Sequence, residues 1–260
     1  MLSVGFFFQF TYAQDNFTVI KVSGNIVIER TGSSLSTGTA FSQNENLLFK
    51  VPESRAAVIN PQRGRYLLTS DNLAEFRNSK SNFLPAAGKI STRSIGLNAK
   101  IIDVKDQFEG KYLFFNEIKI LVDTSVYPMS EKKFFYITYD YNNRTINKKL
   151  DFKKDTLLIK RNELLTVDGK EIPDPKINQM KLIYLTQGST FASTSVCTFI
   201  PVFPDLKSMA QEVKLMLDQM NAKTYNEKLN EISAFVNEFY GKADENSLKM
   251  WLDLNLGFRK

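Results

Sequence analysis

The strongest constraint on this chain is a change of hydrophobic rhythm late in the sequence. Up to about Val202, apolar residues recur at every second position in short runs; beyond Pro204 they recur with helical spacing. A period of two puts alternate side chains on opposite faces of a strand, whereas a period near 3.6 puts them on one stripe of a helix. The pattern predicts a mainly β chain with a C-terminal α-helical unit, α+β in class. Antiparallel sandwich- or barrel-like modules should precede two or three helices.

The first module reads as short strands. Phe17–Val22 and Asn25–Glu29 flank the turn signal Ser23-Gly24, and Leu47–Val51, Arg55–Ile59 and Arg65–Thr69 continue the pattern. Gly32, Gly38, Gly64, Pro52 and Pro61 punctuate it, and no useful helix period appears.

Four fragments of this module, Gly24-Asn-Ile-Val-Ile28, Leu35-x-x-Gly38, Glu45-x-Leu47 and Ser54-x-Ala56-x-Val58, occur in order over about fifty residues. This arrangement resembles FecR-like β domains, in which a strand opening on Gly-x-Val is followed by a Leu-x-x-Gly turn, a hydrophobic strand and a small-residue strand. The resemblance implies a periplasmic interaction domain. It departs from FecR signal transducers, which carry a cytoplasmic anti-sigma segment and a membrane helix ahead of the β region, so signal transduction of that kind is not expected.

Residues 78–110 read as an irregular connection, with a hinge at Pro85-Ala86-Ala87-Gly88 and a short strand over Ile101–Val104. A second antiparallel β region is expected over 111–203. Ile118, Ile120 and Val122 alternate there with Lys119 and Leu121. Phe135, Ile137, Tyr139 and Tyr141 form a stripe opposite Tyr136, Thr138 and Asp140. Asn142-Asn143 sits where a hairpin turn belongs, with Ile146, Lys148, Leu150 and Phe152 as the returning strand, because Asn tolerates the left-handed backbone such turns need. Asp168-Gly169 marks a second hairpin between Leu164–Val167 and Lys170–Ile172. Lys181–Thr186 and Val196–Ile200 read as further strands.

From 204 to 260 a helical unit is expected. Leu206, Met209, Val213, Met216, Leu217 and Met220 share one stripe after Asp205 as N-cap. Thr224-x-x-Glu227 is a capping-box signature. Asp244 should cap a shorter helix carrying Leu248, Trp251 and Leu252. The stripe Met209, Met216 and Met220 has two readings, core or an adaptable partner-binding surface.

Composition narrows the chemistry. Among 260 residues there is no histidine, and Cys197 is the single cysteine. An internal disulfide, a histidine or multi-cysteine metal site, a Ser-His-Asp triad and a Cys-His pair are thereby excluded. Ser130-Glu-Lys-Lys133 and Ser70-Asp-Asn72 echo serine–lysine enzymes, but their order is reversed and no Lys-Thr-Gly follows. Asp103, Asp106 and Glu109 lack calcium-loop spacing. No catalytic, cofactor-binding or metal-binding residue is assigned, and no cofactor is implied. A carboxylate-based hydrolase stays open, since 28 acidic residues supply candidates without a distinguished pair.

At the N-terminus, Leu2–Phe10 is an apolar run of signal-peptide length, and Thr11 and Ala13 place small residues for cleavage after Ala13. No Lys or Arg precedes the run, as a start site placed too far downstream would explain; a buried first strand is the competing reading. No segment reads as an integral membrane span. Residues 1–13 are thus expected to be a signal peptide, 14–77 the FecR-like module, and the location periplasmic or secreted.

The net charge is +6, and between Glu131 and Arg161 nine Lys or Arg face four Asp or Glu. Tyr139, Tyr141, Lys148 and Lys149 together suggest a face for a glycan or polyanion such as lipopolysaccharide, the competing reading being lysines that guard strand edges. Export argues against nucleic acid. The function expected is that of a non-enzymatic envelope protein binding an envelope protein partner as an adaptor or accessory subunit. A carbohydrate- or polyanion-binding module is the alternative.

Overall fold

The computed structural model describes residues 16–83, 103–173, 175–188 and 190–260. The signal-peptide reading, the Pro85–Gly88 hinge and Ile101–Ile102 lie outside the described residues. The chain is mainly β with three C-terminal helices, and it divides into two compact units. One comprises Met1–Ala86 and Glu212–Ala222; the other comprises Ala87–Gln211 and Lys223–Lys260.

In the first unit the strands are β1 (Asn16–Ser23), β2 (Ile26–Ile28), β3 (Ala40–Ser42), β4 (Leu47–Phe49), β5 (Arg55–Asn60) and β6 (Gly64–Thr69). They form an antiparallel sheet in the order β3-β1-β5-β6 and a separate pair, β2-β4. Ser23-Gly24 is therefore a corner at which the chain changes sheets, not the loop of a hairpin. Gly24 has φ +83°, and a Cβ there would meet Ser54 Oγ at 2.4 Å, so both backbone conformation and close approach require glycine. A bulge in β1 between Val19 and Lys21 turns both Val19 and Ile20 inward.

A short helix, α1 (Leu73–Asn78), was not expected. It buries only Phe76, too little to create a helical period in the sequence. Phe76 packs edge-on to Phe17 at 4.8 Å within a group that includes Phe41, Tyr66 and Phe83. Arg63 seals this group, its guanidinium 4.6 Å from the Phe83 ring centre. Buried Arg63 donates to the Gln43 side chain and to the carbonyls of Ser79 (2.7 Å) and Ser81 (3.1 Å), and Gln43 donates to the Phe76 and Ser79 carbonyls. Two polar side chains thus satisfy the backbone of the irregular segment after α1.

The opposite side of β5 is buried too, at Ala57 and Ile59. The residues Glu212–Ala222 belong to this unit, and Lys21 of β1 pairs with buried Glu212 at 2.8 Å.

The second unit opens with α2 (Val104–Gln107), where a strand ending at Val104 was expected. Asp103 caps it, accepting from Lys105 N at 3.0 Å. The strands β7 (Lys111–Leu113), β8 (Glu117–Leu121), β9 (Lys133–Tyr141), β10 (Arg144–Lys149), β11 (Asp151–Lys153) and β12 (Thr156–Lys160) follow. Then come α3 (Arg161–Leu164), β13 (Thr166–Val167), β14 (Lys170–Glu171), β15 (Met180–Gln187) and β16 (Phe191–Val202). A five-stranded sheet runs β10-β9-β15-β16-β7 and a three-stranded sheet runs β11-β12-β8. Both contribute to one core, with Phe135, Ile137, Tyr139, Leu182 and Tyr184 from the larger sheet and Ile118, Ile120, Leu157 and Ile159 from the smaller. Each such side chain removed from water contributes about 1.5–3 kcal/mol.

Both expected hairpins form. Asn142 and Asn143 take φ +50° and +58°, and Asp168 and Gly169 take +51° and +75°, as a two-residue hairpin turn requires. Three expectations need correction. The strand after Asn143 ends at Lys149, and Phe152 already lies in the other sheet, because the chain crosses over at buried Leu150. Leu164 closes α3 rather than opening a strand. Finally, β7 joins β16 in parallel, so the larger sheet is not wholly antiparallel.

The helices α4 (Leu206–Gln219), α5 (Tyr225–Phe239) and α6 (Glu245–Leu256) complete the chain. The Thr224/Glu227 capping box and the Asp244 cap both form. Trp251 is buried and lies 5.6 Å from the Phe115 ring. No helix among the described residues is long and apolar enough to cross a membrane.

Candidate functional site

The four residues expected to form a ligand face do not share one. Tyr139, Tyr141 and Lys148 fall on the core side of the β9–β10 hairpin, since Tyr139 pairs with Ile146 and Lys148 with Ile137. Lys149, one residue on, pairs with Tyr136 on the other side. Tyr139 is only 3% exposed, and its hydroxyl donates to the Leu164 carbonyl. Burial, helped by neighbouring Tyr141, pushes its pKa up to about 12. Tyr141 is partly buried against the same core, and Lys148 Nζ donates to the Thr166 carbonyl. Strand alternation is the physical reason: adjacent residues cannot present the same face.

The methionines are also inside. Met209, Met216 and Met220 are at most 2% exposed, so of the two readings of their stripe the structure realises the core one. They offer no surface for a partner.

What the alternation does present is the outer face of the five-stranded sheet. In β9 this face carries Phe134, Tyr136 and Thr138, the residues between the core-facing stripe. Register places Leu185 beside Phe134, Ile183 beside Tyr136 and Lys181 beside Thr138. On the next strand, Ser193 lies beside Leu185, Ser195 beside Ile183 and Phe191 beside Gln187. Phe134, Tyr136, Ile183 and Leu185 are each half-buried, and Phe191 is 77% exposed. Lys149 reaches over the Phe134 ring at 4.4 Å and pairs with Glu131 at 3.3 Å. The result is a contiguous aromatic and aliphatic patch bordered by lysines on one side and serines on the other.

The edge of β16 adds to it. β7 pairs only with Ile200–Val202, and α2 and Phe108 lie against the Phe199 end, with the Phe108 and Phe199 rings stacked 4.7 Å apart. From Phe191 to Val196 the outer edge has no ladder partner among the described residues. No charged residue occurs between Gln187 and Pro204, so this edge lacks the lysines that commonly block strand addition. At the opposite edge, β10 carries Arg144, Lys148 and Lys149.

Other chemistry is sparse. Cys197 is half-buried, and burial pushes its thiol pKa up to about 11. Ser130 stands in a tight turn, bridged to Lys133 and accepting from Lys132 N at 3.3 Å. Asn72 Oδ1 accepts from Thr69 N at 2.8 Å, and Ser70 Oγ donates to Asp71. No group of three or more metal-ligating side chains occurs among the described residues.

Much of the basic cluster is tied to neighbours. Arg144 pairs with Asp168 at 2.7 Å, and Lys160 pairs with Glu163 at 2.8 Å and Asp151 at 3.4 Å. The outer-face residues were legible in principle, because Phe134 and Tyr136 are simply the other half of the stripe. What obscured them is that both faces of β9 carry aromatics.

Comparison with known proteins finds no matching family model, no matching curated protein and no matching solved structure.

Proposed function

We propose that this chain is a non-enzymatic, exported protein of the bacterial envelope that binds another protein through the outer face of its five-stranded sheet. The observation that carries this reading is the contiguous patch of Phe134, Tyr136, Ile183 and Leu185 beside the exposed ring of Phe191. Contiguous apolar surface left partly open to water and bordered by polar groups is a feature of interaction sites. Ile183 and Leu185 lie within the patch and favour a protein partner, since aliphatic side chains add burial without the hydrogen bonds a sugar requires. The FecR-like order of residues in the first unit and the apolar run Leu2–Phe10 agree with an envelope adaptor or accessory subunit. A glycan is the second reading, favoured by Ser193, Ser195 and Thr138 beside Tyr136, with Lys149 at the border.

The test is affinity capture of the tagged protein from its own cells, compared with the Ile183→Ser/Phe191→Ser variant. A stoichiometric envelope partner should be lost from a variant whose circular dichroism is unchanged, and the captured chain should begin at Gln14. Retention of the same partner by the variant refutes the face, and an unprocessed N-terminus refutes export.

A further inference from the structure

A cleft of about 840 Å³ in the second unit is lined by residues that include Asn116, Glu117, Lys160, Arg161, Glu171 and Asp205. Arg161 is its distinctive group. The side chain is half-buried, its guanidinium carbon lies 5.5 Å from the Phe203 ring centre, and Nη1 donates to the Pro204 carbonyl at 3.1 Å. A guanidinium carries five N–H donors in a planar fork, and this bond uses one of them. Glu171 and Asp205 are near enough to act on its charge, yet no carboxylate of a described residue comes within 4.0 Å of it. Desolvation accordingly outweighs their attraction and lowers the Arg161 pKa.

Asp205 is committed elsewhere. Its two oxygens accept from Lys207 N at 2.9 Å and Ser208 Oγ at 2.9 Å, capping α4. Lys160 is likewise held by Glu163 and Asp151. Arg161 thus combines partial removal of a guanidinium from water with donors still to be used, in a cleft whose other charged groups are mixed in sign. A planar fork matches a carboxylate in bidentate fashion. The lining sets Glu117, Glu171 and Asp205 against Lys160, Arg161 and Lys207, and Glu117 already pairs with Lys119 at 3.2 Å. This balance of charge favours a ligand that carries a positive nitrogen as well as its carboxylate over a multiply charged anion.

We infer that this cleft binds a small zwitterion, with its carboxylate on Arg161 and its ammonium group toward Glu171. The site is separate from the outer sheet face and does not depend on the protein-binding reading.

Isothermal titration of the full chain with L-lysine, acetate and inorganic phosphate tests it. Saturable lysine binding is expected, stronger than that of acetate or phosphate. Arg161→Met should weaken it by about tenfold or more, the size of a lost charge-assisted hydrogen-bond pair. Arg161→Lys should weaken it less, since the charge remains while the fork is lost. Glu171→Gln, at an exposed position, keeps the test open if Arg161→Met does not fold: it should weaken lysine and leave acetate unchanged or strengthened. The proposal is overturned by absence of saturable lysine binding, by phosphate binding more tightly than lysine, or by lysine affinity unchanged in Arg161→Met or Glu171→Gln.

Discussion

At the scale of single residues, Tyr139 shows how alternation decides a role. Its ring lies in the core and its hydroxyl is spent on the Leu164 carbonyl, which ties β9 to the end of α3. Tyr139→Phe should cost about 1–2 kcal/mol at neutral pH, measured by urea unfolding, because a buried carbonyl loses its donor. The folded pKa, about 12, stands above the ordinary 10.0. The protonated form is therefore favoured by folding: its contribution is complete below pH 10 and is lost as pH rises toward 12. Wild-type stability should fall through that window, and the fall should be shallower in Tyr139→Phe.

Gly241 makes a second case. It has φ +101°, and a Cβ there would stand 2.5 Å from the Lys111 carbonyl oxygen. Gly241→Ala should destabilise by about 2–3 kcal/mol, through strain and collision together. Cys197 gives a chemical check. With its pKa at about 11 against 9.0, alkylation at pH 8 should run about a hundredfold slower in the native protein than in urea.

At the scale of elements, α4 has a consequence that its sequence hides. Its stripe reads as the start of a C-terminal helical unit, yet the chain divides inside it, between Gln211 and Glu212. The residues Glu212–Ala222 complete the unit that begins with β1. Val213 and Met216 are fully buried there, and Met216→Ala should cost about 2–4 kcal/mol, read from the melting of the first unit. Truncation before Pro204 should unfold that unit, visible as loss of its β circular dichroism; an unchanged β signal would show that Glu212–Ala222 are dispensable to it.

Elements were legible where their signals are local. The Asn142-Asn143 and Asp168-Gly169 turns need left-handed backbone that few residues accept, and the Thr224 and Asp244 caps need particular oxygens. The helices α1, α2 and α3 were not legible, because four to six residues make too little of a period to read. Nor were the sheet changes at Gly24 and Leu150, since alternation runs on unchanged when a chain crosses from one sheet to another. The parallel pairing of β7 with β16 joins residues far apart in sequence, and no neighbouring residue announces it.

At the scale of the whole molecule, the two edges of the larger sheet are treated differently. β10 carries cations along its length, and β7 is covered by a parallel bridge from Tyr112 to Lys242, with Lys242 N donating to Lys111 O at 2.8 Å. Between them, the uncharged first half of β16 adjoins the apolar outer face. Placing a lysine at Ser193 should weaken partner capture without altering thermal stability by more than about 0.5 kcal/mol, as for other surface changes.

The most direct measurement is site-specific photo-cross-linking of the full chain in its own cells, with the reactive group placed in turn at positions 136, 183 and 191, and at 119 on the exposed side of β8 as control. Adducts from the first three positions to one envelope protein, with none from position 119, are the expected result. Adducts from position 119 alone, or none from the sheet face, would contradict the assignment of that face as the binding surface.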